Sequence, residues 1–417
     1  MSADGPLVTL RARYVFPIAA PPIAGGMVTL RGTQIVAVGA KLADGPVRDL
    51  GDVAILPALV NAHTHLEFSG LSAPLGVAGM SLVDWIRQVV AVRRSTSDAG
   101  ASGVAAGLRE SLACGTLLLG EIATSDWRQA QNQNDAGVLT GMSVRMFHES
   151  IAPVSERVAP AVAAAEAFLT AGGTGHVSAA LSPHAPYTVH PALLDALVAL
   201  GRRHAVPLAM HLAESREEIE LLATGGGPFA RLFQDFDAWD PRPAARFGRV
   251  LEYLQRLAQA PRALVIHGNY LDDEETRFLA EHAATMSVVY CPRTHHFFRH
   301  EGYPLADMLR AGVSMALGTD SRGSNPDLDM LTEMRFAAAQ NPDVNPATIL
   351  ELGTLGGARA LGWADRAGTL EAGKSADLAV VQITSEKAGD PHELIFALST
   401  RVAQTWARGR VLYDAAK

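Results

Sequence analysis

The chain has 417 residues, 48% of them hydrophobic and 19% charged, with a formal net charge of −8 at pH 7. That length exceeds one average domain, and the hydrophobic share supports a large core, which excludes a disordered chain. The acidic balance speaks against a nucleic-acid partner, whose contact face is basic, and Cys114 and Cys291 are too few for a disulfide framework.

The first 26 residues, MSADGPLVTLRARYVFPIAAPPIAGG, have no basic stretch ahead of an apolar one. Pro17, Pro21 and Pro22 interrupt the apolar run, so no signal peptide is expected. No run of about 18 apolar residues free of charges and breakers follows, so no membrane partner is expected. A cytoplasmic location fits these features and the two free cysteines.

Residues 1–56 read as short strands. Residues 28–31 and 34–38 flank Gly32-Thr33, a hairpin signal. Residues 369–417 have the same character, with strand-like 377–381 and 401–413 and a turn at Gly409-Arg410. The two ends are expected to build one small β-sandwich domain around a central unit of residues 57–368.

Within that unit, apolar runs of strand length recur at residues 54–61, 116–122, 143–147, 177–181, 207–212, 263–266, 285–290 and 313–317. Helical patterns separate most of them, as at 81–94, 191–204, 272–282 and 307–311. Continuous apolar strands alternating with helices predict a parallel sheet buried on both faces. Eight such units predict a TIM-type (β/α)8 barrel, with a doubly wound open sheet as the alternative. Residues 224–249 show no periodicity and read as a loop over the barrel mouth.

Ionisable residues gather where seven of these strands end: His63 and His65, Glu121, His148 and Glu149, His184, His211, His267 and Asp320. Catalytic groups of barrel enzymes collect at that face. The i, i+2 spacing of His63 and His65 turns both imidazoles to one side of a strand, where two neutral rings can grip one metal ion. His211 offers a third ligand, and Glu214 follows where strand passes to helix. Glu214 can instead be a helix N-terminal residue stabilised by the dipole, and Asp320 an N-cap.

The motifs LVNAHTHLE, SPHAPYT, MHLAES, VIHGNYL, GTDSRGSNPDLDMLTEMR and GTLEAGKSADLAVV together resemble the amidohydrolase superfamily. The similarity is to its branch of adenosine-type, S-adenosylhomocysteine, methylthioadenosine, guanine and aminodeoxyfutalosine deaminases and triazine hydrolases. The resemblance implies one divalent metal ion, Zn²⁺ with Fe²⁺ or Mn²⁺ as alternatives, held by His63, His65, His211 and Asp320. It implies proton handling by Glu214 and Asp320 and polarisation of the substrate by His267. The partner it implies is a small aminated heterocycle that loses ammonia, and relatives of this kind often form homo-oligomers.

The four lysines, Lys41, Lys374, Lys387 and Lys417, all lie in the terminal segments, so the barrel has none to bridge two metals. Glu121 or Glu149 could bridge instead, but one ion is the simpler reading. His184 resembles a substrate contact, as do Trp85 in the segment SLVDWI and Ser321 beside Asp320. Related nucleoside deaminases place a Glu nine residues after this Trp to hold ribose, whereas this chain has Arg94. Glu67 is then the expected replacement. HTHLE followed by a WIR helix is most similar to aminodeoxyfutalosine deaminases, whose substrate carries a benzoate. Arg87, Arg94, Arg145, Arg293 and Arg322 are the candidates to pair with that carboxylate. The run CPRTHHFF at 291–298 is expected either to wall the pocket or to pack.

Overall fold

The structure, a computed structural model, describes residues 6–41, 46–95, 99–127, 141–236, 238, 248–383 and 389–417. Eight strands form one sheet in which each pairs with the next along the chain: β1 (Leu59–Thr64), β2 (Thr116–Ala123), β3 (Ser143–Ser150), β4 (Val177–Pro183), β5 (Leu208–Leu212), β6 (Ala263–His267), β7 (Met286–Tyr290) and β8 (Met315–Leu317). All these pairings are parallel. β1, β2 and β5 to β8 are buried along their whole length, as a sheet covered on both faces requires.

The last strand returns to the first. Asn61 Nδ2 donates to Thr319 Oγ1 at 2.7 Å, and the Thr319 N–H donates back to Asn61 Oδ1 at 3.1 Å. The Asp320 N–H donates to the His63 carbonyl at 3.1 Å. This seam closes the sheet into the expected barrel rather than leaving it open. The two strands run so close that a Cβ on Gly318 would lie 2.9 Å from the Cβ of His63, so glycine is required there.

Residues 54–61, expected as one strand, are divided. Val53–Pro57 pairs antiparallel with Leu378–Gln382 in another sheet, and β1 begins at Leu59. The chain changes sheet at Ala58, whose N–H goes to the Asp377 carbonyl at 2.9 Å while the Leu59 N–H goes to Gly115. Periodicity cannot mark this change, because both strands are fully buried.

The other sheet has six strands in the order Arg410–Asp414, Arg401–Ala407, Leu378–Gln382, Val53–Pro57, Tyr14–Val15 and Ile23–Ala24. A third sheet has four, Gln34–Gly39, Met27–Arg31, Leu7–Arg11 and Val47–Asp49. Leu10, Val28, Ile35, Ile55, Val380 and Trp406 share one core between them. Both chain ends therefore build the small β unit, with the expected hairpin inside it.

Helices α1 (Leu82–Ser95) and α3 (Gly227–Asp235) line the barrel mouth, with α2 (Arg216–Thr224) packed on α3 and α4 (Met330–Gln340) following β8 in the chain. α3 corrects the expectation of a loop over 224–249. Pro228 suits a first helical turn, and the helix buries Phe229, Leu232 and Phe233. Residues 237 and 239–247 of that stretch lie outside the described residues. No helix of the described residues is long and apolar enough to cross a membrane.

Candidate active site

At the C-terminal ends of the strands the imidazoles of His63, His65, His211 and His267 converge. The His63 ring centroid lies 4.9 Å from that of His65, 5.0 Å from His211 and 5.7 Å from His267. Asp320 Oδ1 is 3.4 Å from His63 Nε2 and 3.6 Å from His65 Nε2. Two triads, His63/His65/Asp320 and His63/His211/His267, each bring their ligand atoms within 4.8 Å of one another. His63 belongs to both, so His267 clusters with two of the four expected ligands.

The backbone is bent to present these groups. Ala213, His267 and Asp320, at the ends of β5, β6 and β8, adopt φ of 54°, 69° and 57°. The left-handed region is uncommon for residues other than glycine, and strain of this kind gathers at functional sites. Each bend is held by a side chain. The Ala213 and Glu214 N–H groups donate to the two carboxylate oxygens of Glu218 at 3.0 and 2.8 Å. Thr64 Oγ1 donates to the Asp320 carbonyl at 3.0 Å, and Ser324 Oγ donates to Asp320 Oδ2 at 2.9 Å.

The electrostatics suit cation binding. Burial, then neighbouring histidines, depress the pKa of His65 and His211 well below 6.5, and burial does the same to His267. The rings are therefore neutral, with lone pairs available. Burial works against the Asp320 carboxylate, but the His63 imidazole 3.4 Å away and the other flanking imidazoles hold its pKa below the ordinary range. Glu214 is pushed the other way: burial, then the charges of Asp320 and Glu218, raise it well above 4.5. Glu214 Oε1 lies 3.4 Å from His267 Nε2.

A divalent metal fits this donor set. Both ring nitrogens of buried His63 lack a hydrogen-bond partner, as does His65 Nδ1. His211 Nδ1 is 3.0 Å from the His184 carbonyl and donates its proton there, which leaves Nε2 as a bare acceptor.

A cavity of about 200 Å³ opens beside the cluster. Trp85, His184, Ser321, Glu214, His267 and Asp320, all named from the sequence as candidate substrate or catalytic residues, line it. Trp85 is fixed by its indole N–H, which donates to the Gly323 carbonyl at 2.9 Å. Most of the remaining wall is apolar, from Phe68, Leu82, Ile86, Val89, Leu232, Phe233 and Phe236.

Several expected contacts lie elsewhere. Arg145 sits near the start of β3, at the opposite end of the barrel; it donates to the Leu361 carbonyl and stacks over Trp363. Arg94 is exposed, with its guanidinium over Phe236. Arg87, Arg293 and Arg322 are bound to Asp235, to Glu333 and Asp327, and to Glu110. Glu67 does not line the cavity; it accepts from Arg93 at 2.6 Å and from Thr124 at 3.0 Å. Glu121 accepts the Leu66 N–H, and the His148 ring stacks on Phe168. In the 291–298 run, Phe298 packs on Trp85 from behind, while His295 faces Tyr290 and Tyr303.

Sequence reasoning missed Arg93 and passed over Glu149 as a substrate contact, yet both line the cavity. For Arg93 the signal was present: Leu82, Ile86, Val89 and Arg93 share one face of α1, and Arg94 is a further 100° around the helix.

A family model described as the amidohydrolase family matches residues 54–412. The chain is 31% identical over 396 residues to 5-methylthioadenosine/S-adenosylhomocysteine deaminase of Desulforudis audaxviator (strain MP104C), a match covering 90% of this chain and 84% of the relative. Among solved structures, an adenosine deaminase from Xanthomonas campestris with bound zinc is 27% identical, with a TM-score of 0.74 over 97% of this chain and 92% of that one. Helicobacter pylori aminofutalosine deaminase in complex with methylthio-coformycin has the same fold, with a TM-score of 0.81 at 20% identity over 97% and 100% of the two chains.

Proposed function

The chain belongs to the amidohydrolase family, and from that premise we propose that it is a zinc-dependent hydrolytic deaminase of adenosine-type nucleosides. The observation that carries the reading is two buried carboxyls set against one cluster of imidazoles, Asp320 beside His63 and His65 and Glu214 beside His267, with pKa values pushed in opposite directions, Asp320 down and Glu214 up. An acid and a base pushed apart in this way is what addition of water to a ring carbon and expulsion of an amine require.

His63, His65, His211 and Asp320 would hold the ion, with His267 on its margin. When bound, zinc supplies Lewis acidity that brings a water's pKa to about 7. Asp320 takes the proton of the attacking water and later returns it to the leaving amine. Glu214 donates to the ring nitrogen next to the carbon under attack, and it regains a proton from the added hydroxyl as the carbonyl forms. His267 hydrogen-bonds the developing oxyanion. His184 and Trp85 face the heterocycle, and the surrounding apolar wall excludes water.

That wall suits a nucleoside with an apolar 5′ group. Within this class, aminodeoxyfutalosine, an intermediate of menaquinone biosynthesis, is the substrate favoured by HTHLE followed by the WIR helix, and the aromatic and aliphatic cavity suits its benzoate ring. The similarity to the 5-methylthioadenosine/S-adenosylhomocysteine deaminase of Desulforudis audaxviator favours methylthioadenosine or S-adenosylhomocysteine as the second reading. Ammonia release from aminodeoxyfutalosine, methylthioadenosine, S-adenosylhomocysteine, adenosine and guanine, with metal analysis of the same sample, tests both. Turnover of guanine alone would overturn the nucleoside reading.

A further inference from the structure

Glu149 is a buried carboxylate with neither oxygen hydrogen-bonded, although it lines the cavity. Buried polar groups are almost always paired, so such a group calls for an explanation. Its nearest polar neighbours stop short. Arg93 Nη2 is 3.7 Å away and His184 Nε2 is 3.8 Å away, both beyond hydrogen-bonding distance. Arg93 reaches Glu67 instead, and its Nε–H also lacks a partner.

The state of His184 sharpens this. The Thr188 hydroxyl donates its proton to the Ala185 carbonyl at 3.1 Å. Its oxygen must therefore accept from His184 Nδ1–H, 2.6 Å away. His184 Nε2 is then a bare acceptor. One wall of the cavity thus presents two acceptors, Glu149 and His184 Nε2, beside one unmet donor, Arg93 Nε–H.

A group that both donates and accepts satisfies this wall, and a hydroxyl does so. A ligand carboxylate would serve Arg93 alone and would sit as a third anion among Glu67 and Glu149. A cation is not favoured either, since Glu149 belongs to no metal-like cluster among the described residues. We infer that Glu149, backed by Arg93, reads a vicinal diol, the 2′,3′-hydroxyl pair of a nucleoside's pentose. The inference rests on the nucleoside reading above. It moves ribose recognition from the helix after the first strand to the end of β3, and assigns the job to neither Arg94 nor Glu67.

The test compares kcat/KM for adenosine, 2′-deoxyadenosine and 3′-deoxyadenosine in the wild-type holoenzyme, Glu149→Gln and Glu149→Ala. The wild type should lose at least ~30-fold when either hydroxyl is removed. In Glu149→Ala that ratio should fall below ~3, through loss of activity on adenosine, with zinc content unchanged. The near-isosteric Glu149→Gln keeps the comparison open should the alanine variant fold poorly. Equal ratios in wild type and variants would overturn the inference while leaving the deaminase reading intact. Were no adenosine-type compound deaminated, the functional reading would fail by itself. Calorimetric binding of adenosine against 2′-deoxyadenosine would then decide the diol, and equal affinities in the wild type would refute it.

Discussion

The Tyr303 hydroxyl donates to the backbone carbonyl of His267 at 2.9 Å and holds that histidine at a φ of 69°. The tyrosine lies outside the cavity lining, stacked on Tyr290 at 3.7 Å between ring centroids. It therefore acts on the site only through the peptide it fixes. Tyr303→Phe should keep the packing and leave a buried carbonyl unmet, at a cost of about 1–3 kcal/mol in stability. We expect kcat to fall about tenfold with KM little changed, since misplacement of a reacting group costs rate. Urea unfolding and steady-state kinetics on the same variant check both parts.

Removal of the cation should abolish turnover. His63→Ala and His211→Ala should each retain less than one equivalent of metal and lose about 10³-fold or more in kcat. Dialysis of the wild type against a chelator should do the same and lower its melting temperature, because a ligand that binds only the folded chain stabilises it. Zinc added back should restore both quantities in the wild type and neither in His211→Ala.

Glu214→Gln should separate binding from chemistry. The amide preserves shape but carries no acidic proton, so the variant should bind metal and nucleoside normally. Loss of a positioned general acid corresponds to about 10²–10⁴-fold in rate. A wild-type kcat in this variant would remove Glu214 from the mechanism.

Glu218 gives a pH signature in stability. Burial raises its pKa from 4.5 to about 7, despite the backbone N–H groups of Glu214, Ala213 and Ser215 that act to lower it. The folded state thus binds the proton more tightly than the unfolded chain. Its contribution is fully present below the unfolded value and is lost as pH rises through the folded value. Stability should fall between about pH 4.5 and 7, by up to about 3 kcal/mol from this group. In Glu218→Gln the slope across that window should flatten in urea titrations, while an unchanged slope would assign it to other groups.

The arginines should divide sharply. Arg93→Ala should raise KM for a nucleoside at least tenfold, since it frees Glu67 and removes the one Lys or Arg lining the cavity among the described residues. Arg94→Ala should leave kcat and KM unchanged, its side chain being exposed. Arg145→Ala should leave turnover unchanged and lower stability by about 1 kcal/mol, from the lost stacking on Trp363.

Strand ends were the readable part of this chain. His63, His65, His211 and Asp320 follow directly on long apolar runs, and a parallel barrel carries every such end to one rim. The same logic, applied strictly, rejects Arg145, because it precedes the end of its strand by several residues. Helix α3 was not legible in the sequence because Gly225-Gly226-Gly227 and Pro228 resemble loop sequence, while its Phe229 and Phe233 are only one turn apart. Glu149 was visible as a strand-end carboxylate, but its lack of partners is a matter of three-dimensional neighbours. No spacing in the sequence reports it.

The seam at Asn61 and Thr319 joins positions 258 residues apart. A ribosome must therefore release about three quarters of this polypeptide before the final stave can dock beside the first. Until then His63 and His65 lack the Asp320 carboxylate that stands beside them in the folded chain. Completion of the candidate site is in this sense a late event, the shutting of the ring.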